Sequence, residues 1–442
     1  MTLPESQSAA NESPTGLRLP PMPRGRVREL VRDPLNFFLN LTRQYGDIVC
    51  YRPAPDTAYL INHPDYIRHV LVDNNRNYSK ATYSNQVFKR LVGDGLVTSE
   101  GETWRQQRRL MQPAFHRTRL EALDGMIVAA AVEMLSRWEG RYAAGQPVDI
   151  AREMASLTLT VTTRALFGVN LGEEVNAIGE WVNQAAVQFE KPSRPHVQES
   201  ARAVRAIVEG IVQERRRDFT DKGDLLSSMM LARDEETRLR MNEAQLCDQV
   251  MTLLIAGYET TANALTWTWY LLSQHPEATG RLRQEVSALN DRPPAIADVE
   301  RLPYIRMTLD ESLRLYPPAW MLGRRALGVD EIGGYQVAPG TVMAICVYTV
   351  HRHPEFWERP EEFDPLRFNP EVAMRQNRYA YIPFGAGPRQ CIGNNFGLLE
   401  ATLIMACVAQ RFELRLAPGS EIHPQPLFVL RPNRDLYMTL HR

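Results

Sequence analysis

The chain has 442 residues, with 51 basic and 52 acidic side chains and a net charge of -1. This balance excludes a strongly basic nucleic-acid-binding or membrane-binding surface as a property of the whole molecule, so any docking charge must be local. Five scattered cysteines without a CxxC pair fit a reducing cytosol better than a disulfide framework.

The N-terminus is predicted to be a flexible, polar and Pro-rich arm over residues 1–24, and residues 25–442 are predicted to be one large domain. The arm lacks the basic and apolar regions of a signal peptide. The only long apolar stretch, Leu246 to Leu272, contains Asp248 and Glu259, which are costly in lipid. We therefore expect a cytoplasmic monomer without a membrane anchor and without a nucleic-acid partner.

Two stretches have the composition of short strands about a turn. Residues 48–62 predict two strands around a Pro-rich turn, and residues 333–347 predict another hairpin with a Pro-Gly turn. These segments predict a small sheet.

Most of the remaining chain has the 3.6-residue periodicity of helices between turn signals. The longest predicted helix is mostly apolar and, if unbroken, spans roughly 48 Å at about 1.5 Å per residue, so it should run through the core. The fold class is therefore mainly α with small β-sheets (α+β). The predicted helices are Leu120 to Trp138, Leu157 to Leu166, Ala201 to Asp218, Asn242 to Ser273, Pro276 to Leu289, Tyr304 to Leu315 and Asn394 to Arg411.

The stretch FGAGPRQCIG places Cys391 just before the last predicted helix. Free N–H groups and the helix dipole favour a thiolate there, which makes Cys391 a metal ligand or a nucleophile. A nucleophilic cysteine usually needs a histidine base, and no local cysteine-protease signature surrounds Cys391. Folding can nevertheless bring a distant histidine close to it. A zinc site needs further Cys or His ligands at short spacing, so a metal here would take its other ligands from a non-protein group, and haem supplies four nitrogens.

Haem also accounts for the residues around the thiol. Gly387 and Gly393 remove a Cβ where backbone approaches a flat macrocycle, Arg389 can bind a propionate, and Phe384 can pack beside the sulfur. The alternative is an ordinary buried thiol in a glycine-rich turn. The pattern FxxGxRxCxG, with Cys391 as the iron ligand, resembles the haem-binding signature of the cytochromes P450.

ESLR and FDPLRF place Glu311, Arg314 and Arg367 ahead of the cysteine. Glu311 and Arg314 are three residues apart on one helix face, where they can pair, although most such pairs are solvated. The resemblance implies that the three residues form a buried structural triad in which every charge is partnered.

AGYETT, from Ala256 to Thr261, puts polar residues inside an apolar helix, where a buried carboxylate is costly unless it is paired or functional. The alternative is a satisfied polar cluster at a helix kink. In the family that this chain resembles, Glu259 and Thr260 would deliver protons to bound dioxygen and Gly257 would leave space for it.

Two further segments resemble propionate-binding motifs of that family. WRQQR implies that Trp104 and Arg108 bind haem propionates, and RRA implies the same of Arg324 rather than Arg325.

The resemblance implies the cytochrome P450 fold, with haem b (iron protoporphyrin IX) buried between the long central helix and the helix after the cysteine. It implies a haem-thiolate monooxygenase that activates dioxygen and inserts one oxygen atom by hydroxylation or epoxidation. Electrons would come from NAD(P)H through a separate ferredoxin or flavodoxin with its reductase. One basic segment suits an acidic partner and contains Arg105, Arg109, Arg117 and Arg119. The alternative is that these arginines form a merely solvated face.

The segments that would face the substrate carry many apolar side chains, which predicts a lipophilic small molecule. The class is open among fatty acids, terpenoids, steroids and aromatic polyketides or peptides. The predicted pocket residues are Phe88, Ala256, Trp320, Met321 and Phe428.

Three other functions remain open from the sequence. A haem-thiolate peroxygenase or isomerase needs no electron donor, but it has little use for Glu259 and Thr260. A non-catalytic haem sensor or carrier would share the cysteine loop. A cysteine-nucleophile enzyme would hold no haem.

Overall fold

The computed structural model describes residues 18–23, 27–53, 56–168, 178–179, 181, 195–419 and 421–442. Most of the predicted arm, residues 1–17 and 24, therefore lies outside the described residues. The contacts between residues divide the chain into two units, each built from several segments.

The helices in the described part of the chain agree with the predicted periodicity. In chain order they are α1 (Val27–Arg32), α2 (Pro34–Tyr45), α3 (Pro64–Arg68), α4 (Tyr83–Val92), α5 (Gly101–Met111), α6 (Arg117–Glu121), α7 (Asp124–Ala143), α8 (Ile150–Phe167), α9 (Pro195–Arg217), α10 (Leu225–Leu231), α11 (Glu243–Gln274), α12 (Pro276–Ser287), α13 (Pro303–Leu315), α14 (Val347–Val350), α15 (Pro370–Ala373) and α16 (Asn394–Arg411).

The strands are short and form four small sheets. In chain order they are β1 (Ile48–Tyr51), β2 (Ala58–Ile61), β3 (Tyr78–Ser79), β4 (Val148–Asp149), β5 (Met321–Ala326), β6 (Asp330–Ile332), β7 (Tyr335–Val337), β8 (Val342–Cys346), β9 (Glu413–Leu416), β10 (Pro424–Pro426), β11 (Leu430–Pro432) and β12 (Tyr437–His441).

Each predicted helix is present, with ends that differ by up to seven residues. The long helix α11 has 32 residues and begins at a capping box, in which the Asn242 side chain accepts from Gln245 N and the Gln245 side chain accepts from Asn242 N. No helix in the described part of the chain combines the length and hydropathy needed to span a membrane.

The first unit comprises residues 1–83, 320–362 and 375–391. Its main sheet has the strand order β1-β2-β8-β5-β3, in which β2 and β8 are parallel and the other neighbours are antiparallel. An apolar cluster that includes Ile61, Ile67 and Ile345 forms a core in this unit.

The predicted hairpin over residues 333–347 is wrong. β7 pairs with β6, whereas β8 pairs with β2 and β5 in a different sheet. The physical reason is the Gly333-Gly334 pair, whose φ angles of +58° and +78° form the two-residue turn that joins β6 to β7. The strand that follows Gly340 therefore finds other partners.

The second unit comprises residues 84–319, 363–374 and 392–442. The long helix α11 packs most extensively against α8 and also contacts α9, α13, α16 and β11. Small sheets with the orders β4-β12-β9 and β10-β11 complete this unit. The polar residues of the AGYETT stretch are thereby carried on a central, largely buried helix.

Candidate active site

The cysteine loop is a tight turn that is fixed by its own backbone. Cys391 N donates to Phe384 O at 3.0 Å, and Gly385 N donates to Ile382 O at 3.0 Å. Arg389 ends a short 3-10 turn that begins at Gly387. The loop thus presents Cys391 three residues before α16 begins.

The two glycines of the signature have different surroundings. Gly387 has a φ of +71°, and a Cβ there would lie 2.0 Å from the Leu71 carbonyl oxygen. Gly393 has an ordinary φ of -90°, and a Cβ there would meet only Phe115 Cε1, at 3.9 Å. The fold of the first unit therefore requires glycine at 387, whereas the described residues give no such requirement at 393.

Cys391 also differs from the other cysteines in accessibility. All five are described, and Cys391 alone is exposed. Burial raises the pKa of the other four thiols above the ordinary range, to about 11 in two cases and about 12 in a third: Cys50, Cys247, Cys346 and Cys407. Only Cys391 has the accessibility that a ligand or a nucleophile needs.

The structure brings the three predicted triad residues together in the second unit. Arg314 Nε lies 2.7 Å from Glu311 Oε2, and Arg314 Nη2 lies 2.7 Å from Glu311 Oε1. The same Oε1 accepts from Asp364 N at 2.9 Å and lies 3.4 Å from Arg367 Nε. Both side chains of the Glu311–Arg314 pair are 0% exposed.

One stripe of α11 is partly accessible although most of this helix is buried. The stripe consists of Leu253, Ala256, Gly257, Thr260 and Asn263. Their spacing along the chain places these residues on one face of the helix. Ala256, Gly257 and Thr260 belong to the predicted oxygen-binding motif.

Glu259 and Thr260 are neighbours on α11 with different surroundings. Thr260 Oγ1 donates to Ala256 O at 2.9 Å, so this hydroxyl retains acceptor capacity toward the accessible stripe. Glu259 is 6% exposed, and its Oε2 has no hydrogen-bond partner within the described residues. Burial raises the pKa of Glu259 to about 7, against the opposing charge of Arg431. This carboxyl can therefore both hold and release a proton near neutral pH.

Gly257 allows α8 to approach α11 closely. A Cβ at this position would lie 3.2 Å from Thr162 Cγ2 and 3.3 Å from Thr162 Oγ1. Nearby, Thr158 Oγ1 donates to Tyr258 O at 3.1 Å. Gly257 thus has a packing role of its own, and the space that it would leave for dioxygen stays a prediction.

The sequence reasoning missed another buried carboxyl in the same unit. Glu400 on α16 is 0% exposed, and burial raises its pKa well above the ordinary range. Thr261 is its polar neighbour on α11, although Thr261 Oγ1 donates to Gly257 O and neither Glu400 oxygen has a hydrogen-bond partner within the described residues. A Cβ at Gly397 of α16 would lie 3.6 Å from Thr261 Oγ1. The available signal was a single acid inside the otherwise apolar run LLEATLIMACVA.

Trp104 and Arg108 lie four residues apart on α5 and are both half-buried. The neighbouring arginines of this helix have carboxylate partners of their own. Arg109 lies 2.8 Å from the fully buried carboxylate of Asp234 and also contacts Glu102 and Glu236. Among the described residues, the carboxylate partner of Arg105 is Glu102. Arg109 is therefore committed to intramolecular ion pairs.

The two arginines of β5 also differ. Arg324 is buried, with Nη1 donating to Gly323 O at 2.8 Å. Arg325 is held by the carbonyls of Ala81 and Gly340 and by Asp56. These contacts occupy Arg325, and the choice of Arg324 as the candidate for a bound carboxylate stays a prediction.

The predicted pocket residues fall into two groups. In the second unit, Phe88 and Phe428 stack with ring centroids 4.8 Å apart, and Ala256 lies on the accessible stripe of α11. In the first unit, Trp320 is 6.4 Å from Phe38 between ring centroids, and Met321 begins β5. All of these side chains except that of Phe88 are partly accessible.

Comparison with known proteins agrees with these motifs. The model of the family described as cytochrome P450 matches residues 25–440. Cyclooctatin synthase of Streptomyces melanosporofaciens is 37% identical over 433 residues, covering 94% of this chain and 92% of that protein. Cyclooctat-9-en-7-ol 5-monooxygenase of the same organism is 35% identical over 438 residues, covering 95% of this chain and 94% of that protein. Pentalenene oxygenase of Streptomyces avermitilis is 32% identical over 431 residues, covering 94% of each chain.

A solved structure extends the likeness to the fold. The crystal structure of the cytochrome P450DA heme domain has a TM-score of 0.89 and 28% sequence identity, and the match covers 96% of this chain and 98% of that one. The predicted fold class is thereby confirmed. The chain belongs to the cytochrome P450 family and is a monooxygenase of that family.

Proposed function

We propose that this monooxygenase binds haem b through Cys391 and oxidises a lipophilic terpenoid with electrons from a separate redox protein. The observation that carries the proposal is the exposed thiol of Cys391 at the family's ligand position, in a chain whose other cysteines are all buried. A buried thiol with a raised pKa is a poor ligand, because the thiolate is the form that binds metal.

The residues fit the proposed group in two further respects. Gly393 lacks a Cβ at a position where the protein's own packing does not require glycine. The stripe of α11 that carries Thr260 is the partly accessible side of a largely buried helix. Haem with a thiolate ligand would supply the activation of dioxygen.

Four basic or indole side chains would hold the haem propionates. An arginine can bind a carboxylate through two parallel N–H groups, and a Trp N–H can add a single donor. We assign this role to Arg389, Arg324, Trp104 and Arg108. Arg325 and Arg109 are not part of this assignment, and their guanidinium groups bind Asp56 and Asp234.

Proton supply is assigned to Glu259 and Thr260. Hydroxylation consumes one dioxygen, two electrons and two protons, and it leaves one oxygen atom in the product and one in water. A carboxyl with a pKa of about 7 can donate a proton and regain it at neutral pH. Thr260, on the accessible stripe, would accept a hydrogen bond from water.

The terpenoid class is supported by the relatives. The names cyclooctat-9-en-7-ol 5-monooxygenase and pentalenene oxygenase specify oxidation of an unsaturated cyclic alcohol and of an alkene. The stacked rings of Phe88 and Phe428 offer a flat apolar wall that suits such a molecule. We therefore propose a terpenoid from among the substrate classes that the sequence left open.

The partner is proposed to be a ferredoxin or flavodoxin with its reductase. Arg105 is 56% exposed and Arg119 is exposed, so both can meet an acidic protein. Arg109 is removed from the predicted docking set, because its guanidinium serves the buried Asp234 carboxylate.

The proposal is tested by the absorption spectrum of the reduced, carbon monoxide-bound protein. Wild type should show the red-shifted Soret band of thiolate ligation, and Cys391→His should lose it. Cys407→Ala, which removes a buried thiol, should leave the band in place. A wild type that is folded but binds no haem, or that shows the shorter-wavelength band, would refute Cys391 as the ligand. Terpenoid turnover with a ferredoxin system then tests the substrate class.

A further inference from the structure

The chain that follows α4 lies directly against α11. Asp94 N donates to Asp248 Oδ2 at 2.8 Å, and two residues later Leu96 N donates to Gln249 Oε1 at 2.9 Å. Gln249 is 0% exposed, and the Asp248 side chain is partly buried. Two consecutive side chains of α11 therefore bind two backbone N–H groups of residues 93–96, a segment that we call the α4 loop.

The close approach of the α4 loop to α11 requires glycine at two positions. Gly93 has a φ of +86°, and a Cβ there would overlap the Asp248 carboxylate. A Cβ at Gly95 would overlap Thr252 Oγ1 and would lie 2.7 Å from the Asp248 carbonyl oxygen. A larger residue at either position would push the loop away from the helix. The α4 loop is thus fitted to this stretch of α11 by its own sequence.

Asp248 also joins the α4 loop to α9. Arg205 Nη2 donates to Asp248 Oδ1, and Arg205 Nη1 lies 3.9 Å from Glu209 on its own helix. The Asp248 side chain is 18% exposed and that of Arg205 is 31% exposed, so solvent screens this pair less than it screens a fully exposed pair. The carboxylate of Asp248 therefore binds α9 with one oxygen and the α4 loop with the other.

The α4 loop is in turn bonded to α4 itself. Gly93 N donates to Lys89 O at 2.9 Å, which completes the last turn of the helix, and Lys89 Nζ lies 2.7 Å from Asp94 Oδ1. Asn85 Nδ2 donates to Thr98 O at 3.2 Å, on the far side of the loop. A displacement of the α4 loop away from α11 would therefore displace α4 as well.

The helix α4 carries one ring of the apolar wall assigned to the substrate. Phe88 lies on α4 between Asn85 and Lys89, is 3% exposed and stacks on Phe428. Phe428 is the more accessible ring of the two. The position of this wall consequently depends on where the α4 loop is held.

We propose that Asp248 is a positioning residue for the substrate: by binding the α4 loop and α9 with its two carboxylate oxygens, it holds the Phe88–Phe428 wall in place. The inference rests on the proposed haem site and on the proposed role of this wall in binding a lipophilic substrate. A wall that is already ordered costs less free energy when a ligand packs against it. Asp248 should therefore matter for ligands large enough to reach the wall, and not for small ones.

The first measurement is hydrogen exchange at the α4 loop of the haem-loaded protein. In Asp248→Ala the amide of Asp94 should exchange roughly tenfold or more faster than in wild type, and that of Leu96 should follow it, because both depend on the loop staying against α11. Arg205→Gln leaves the carboxylate in place and should have a smaller effect in the same direction. Unchanged exchange at both amides in Asp248→Ala would overturn the proposal.

The second measurement compares two probes that bind haem iron through a ring nitrogen, namely imidazole and the larger 4-phenylimidazole. Titration of the Soret band gives the affinity of each. Asp248→Ala should bind 4-phenylimidazole about tenfold more weakly than wild type does, and should bind imidazole within about twofold of wild type. If the two probes lose affinity equally, or if neither does, Asp248 does not act through the wall and the proposal is overturned.

Two control variants separate this role from a general loss of stability. Phe88→Ala removes the ring through which Asp248 acts, so Asp248→Ala should weaken the binding of 4-phenylimidazole no further in that background. Additive losses would contradict the proposal. Glu133→Gln breaks the partly exposed Arg164–Glu133 ion pair between α8 and α7 and should change neither measurement.

Arg205→Gln keeps the proposal falsifiable if Asp248→Ala does not fold, because Arg205 is partly exposed on α9. Wild-type exchange at Asp94 together with wild-type binding of 4-phenylimidazole in Arg205→Gln would then overturn it. If wild type itself shows no Soret shift with imidazole, the proposed haem site fails, whereas the exchange of Asp94 and Leu96 still decides whether Asp248 holds the α4 loop.

Discussion

Glu311 and Arg314 form a bidentate ion pair within one turn of α13, and neither side chain has any solvent exposure. A buried pair of this kind adds little stability relative to an apolar pair, but the loss of one partner leaves an uncompensated charge in the core. The carboxylate also accepts from Asp364 N, so that one group joins α13 to the loop that carries Arg367.

Glu311→Ala should therefore destabilise the protein by about 3–5 kcal/mol and yield little haem-loaded material. The matched control is Arg306→Ala on the same helix, which breaks the partly exposed Arg306–Asp310 pair and should cost at most about 1 kcal/mol. Urea unfolding and the haem-to-protein ratio measure both effects. Soluble Glu311→Ala protein with a full haem content would disprove the structural role of the triad.

Glu400 makes a prediction about pH. Burial raises its folded-state pKa well above the unfolded value of about 4.3, so the folded protein retains a proton that the unfolded chain releases. The stability that the protonated Glu400 contributes is complete at pH values below the unfolded-state pKa and is lost as the pH rises toward the folded-state pKa. Glu400→Gln removes the ionisable group and keeps the shape of the side chain.

Wild type should accordingly lose more stability than Glu400→Gln between pH 5 and pH 8, as measured by the urea midpoint at each pH. At pH 8 the variant should be at least as stable as wild type. A parallel pH dependence in the two proteins would mean that Glu400 is already ionised in the folded state.

The sequence predicts the helical part of this fold well, because helix periodicity and capping are local properties. α11 and its Asn242 cap follow directly from the pattern of apolar residues and turn signals. The β7–β8 assignment fails because strand pairing depends on distant segments, and the local signal of Pro339-Gly340 resembles a hairpin turn. The glycine pair at 333 and 334 was the stronger turn signal.

Motifs predict candidate site residues, but not the contacts that these residues make. A Cβ at position 257 would crowd Thr162, and one at 387 would meet the Leu71 carbonyl, and both neighbours are far away in sequence. Such contacts cannot be deduced from one chain without knowing how it folds. Arg109 has the same local sequence signal as a solvated arginine, and only the folded chain places it on the buried Asp234.

Arg105 and Arg109 differ in the effect that a charge reversal should have, on docking of a redox partner for Arg105 and on stability of the fold for Arg109. Arg105→Glu should slow reduction by a ferredoxin, and the effect should be larger at low salt than at high salt, because screening weakens exposed charge pairs. Arg109→Glu should instead lower the melting temperature, because it places a second carboxylate beside the buried Asp234. Stopped-flow reduction and thermal unfolding distinguish the two. Equal reduction rates for wild type and Arg105→Glu at every salt concentration would reject docking at this position.

Variants of the signature glycines Gly387 and Gly393 can show whether glycine is required by contacts within the protein or by a bound haem. Gly387→Ala should destabilise the protein even without haem, because a left-handed φ costs an alanine about 1–2 kcal/mol and the new Cβ meets the Leu71 carbonyl. Gly393→Ala should leave the stability of the haem-free protein within about 0.5 kcal/mol of wild type, since its φ is ordinary and its Cβ has space.

The two variants should behave differently toward haem. If Gly393 is glycine because a macrocycle lies against it, Gly393→Ala should release haem faster to apomyoglobin than wild type does, although its own fold is intact. Haem release at the wild-type rate would remove the macrocycle as the reason for glycine at 393. Gly387→Ala protein with wild-type stability would contradict the contact with Leu71, and with it the conclusion that the cysteine loop is shaped by the chain before any cofactor binds.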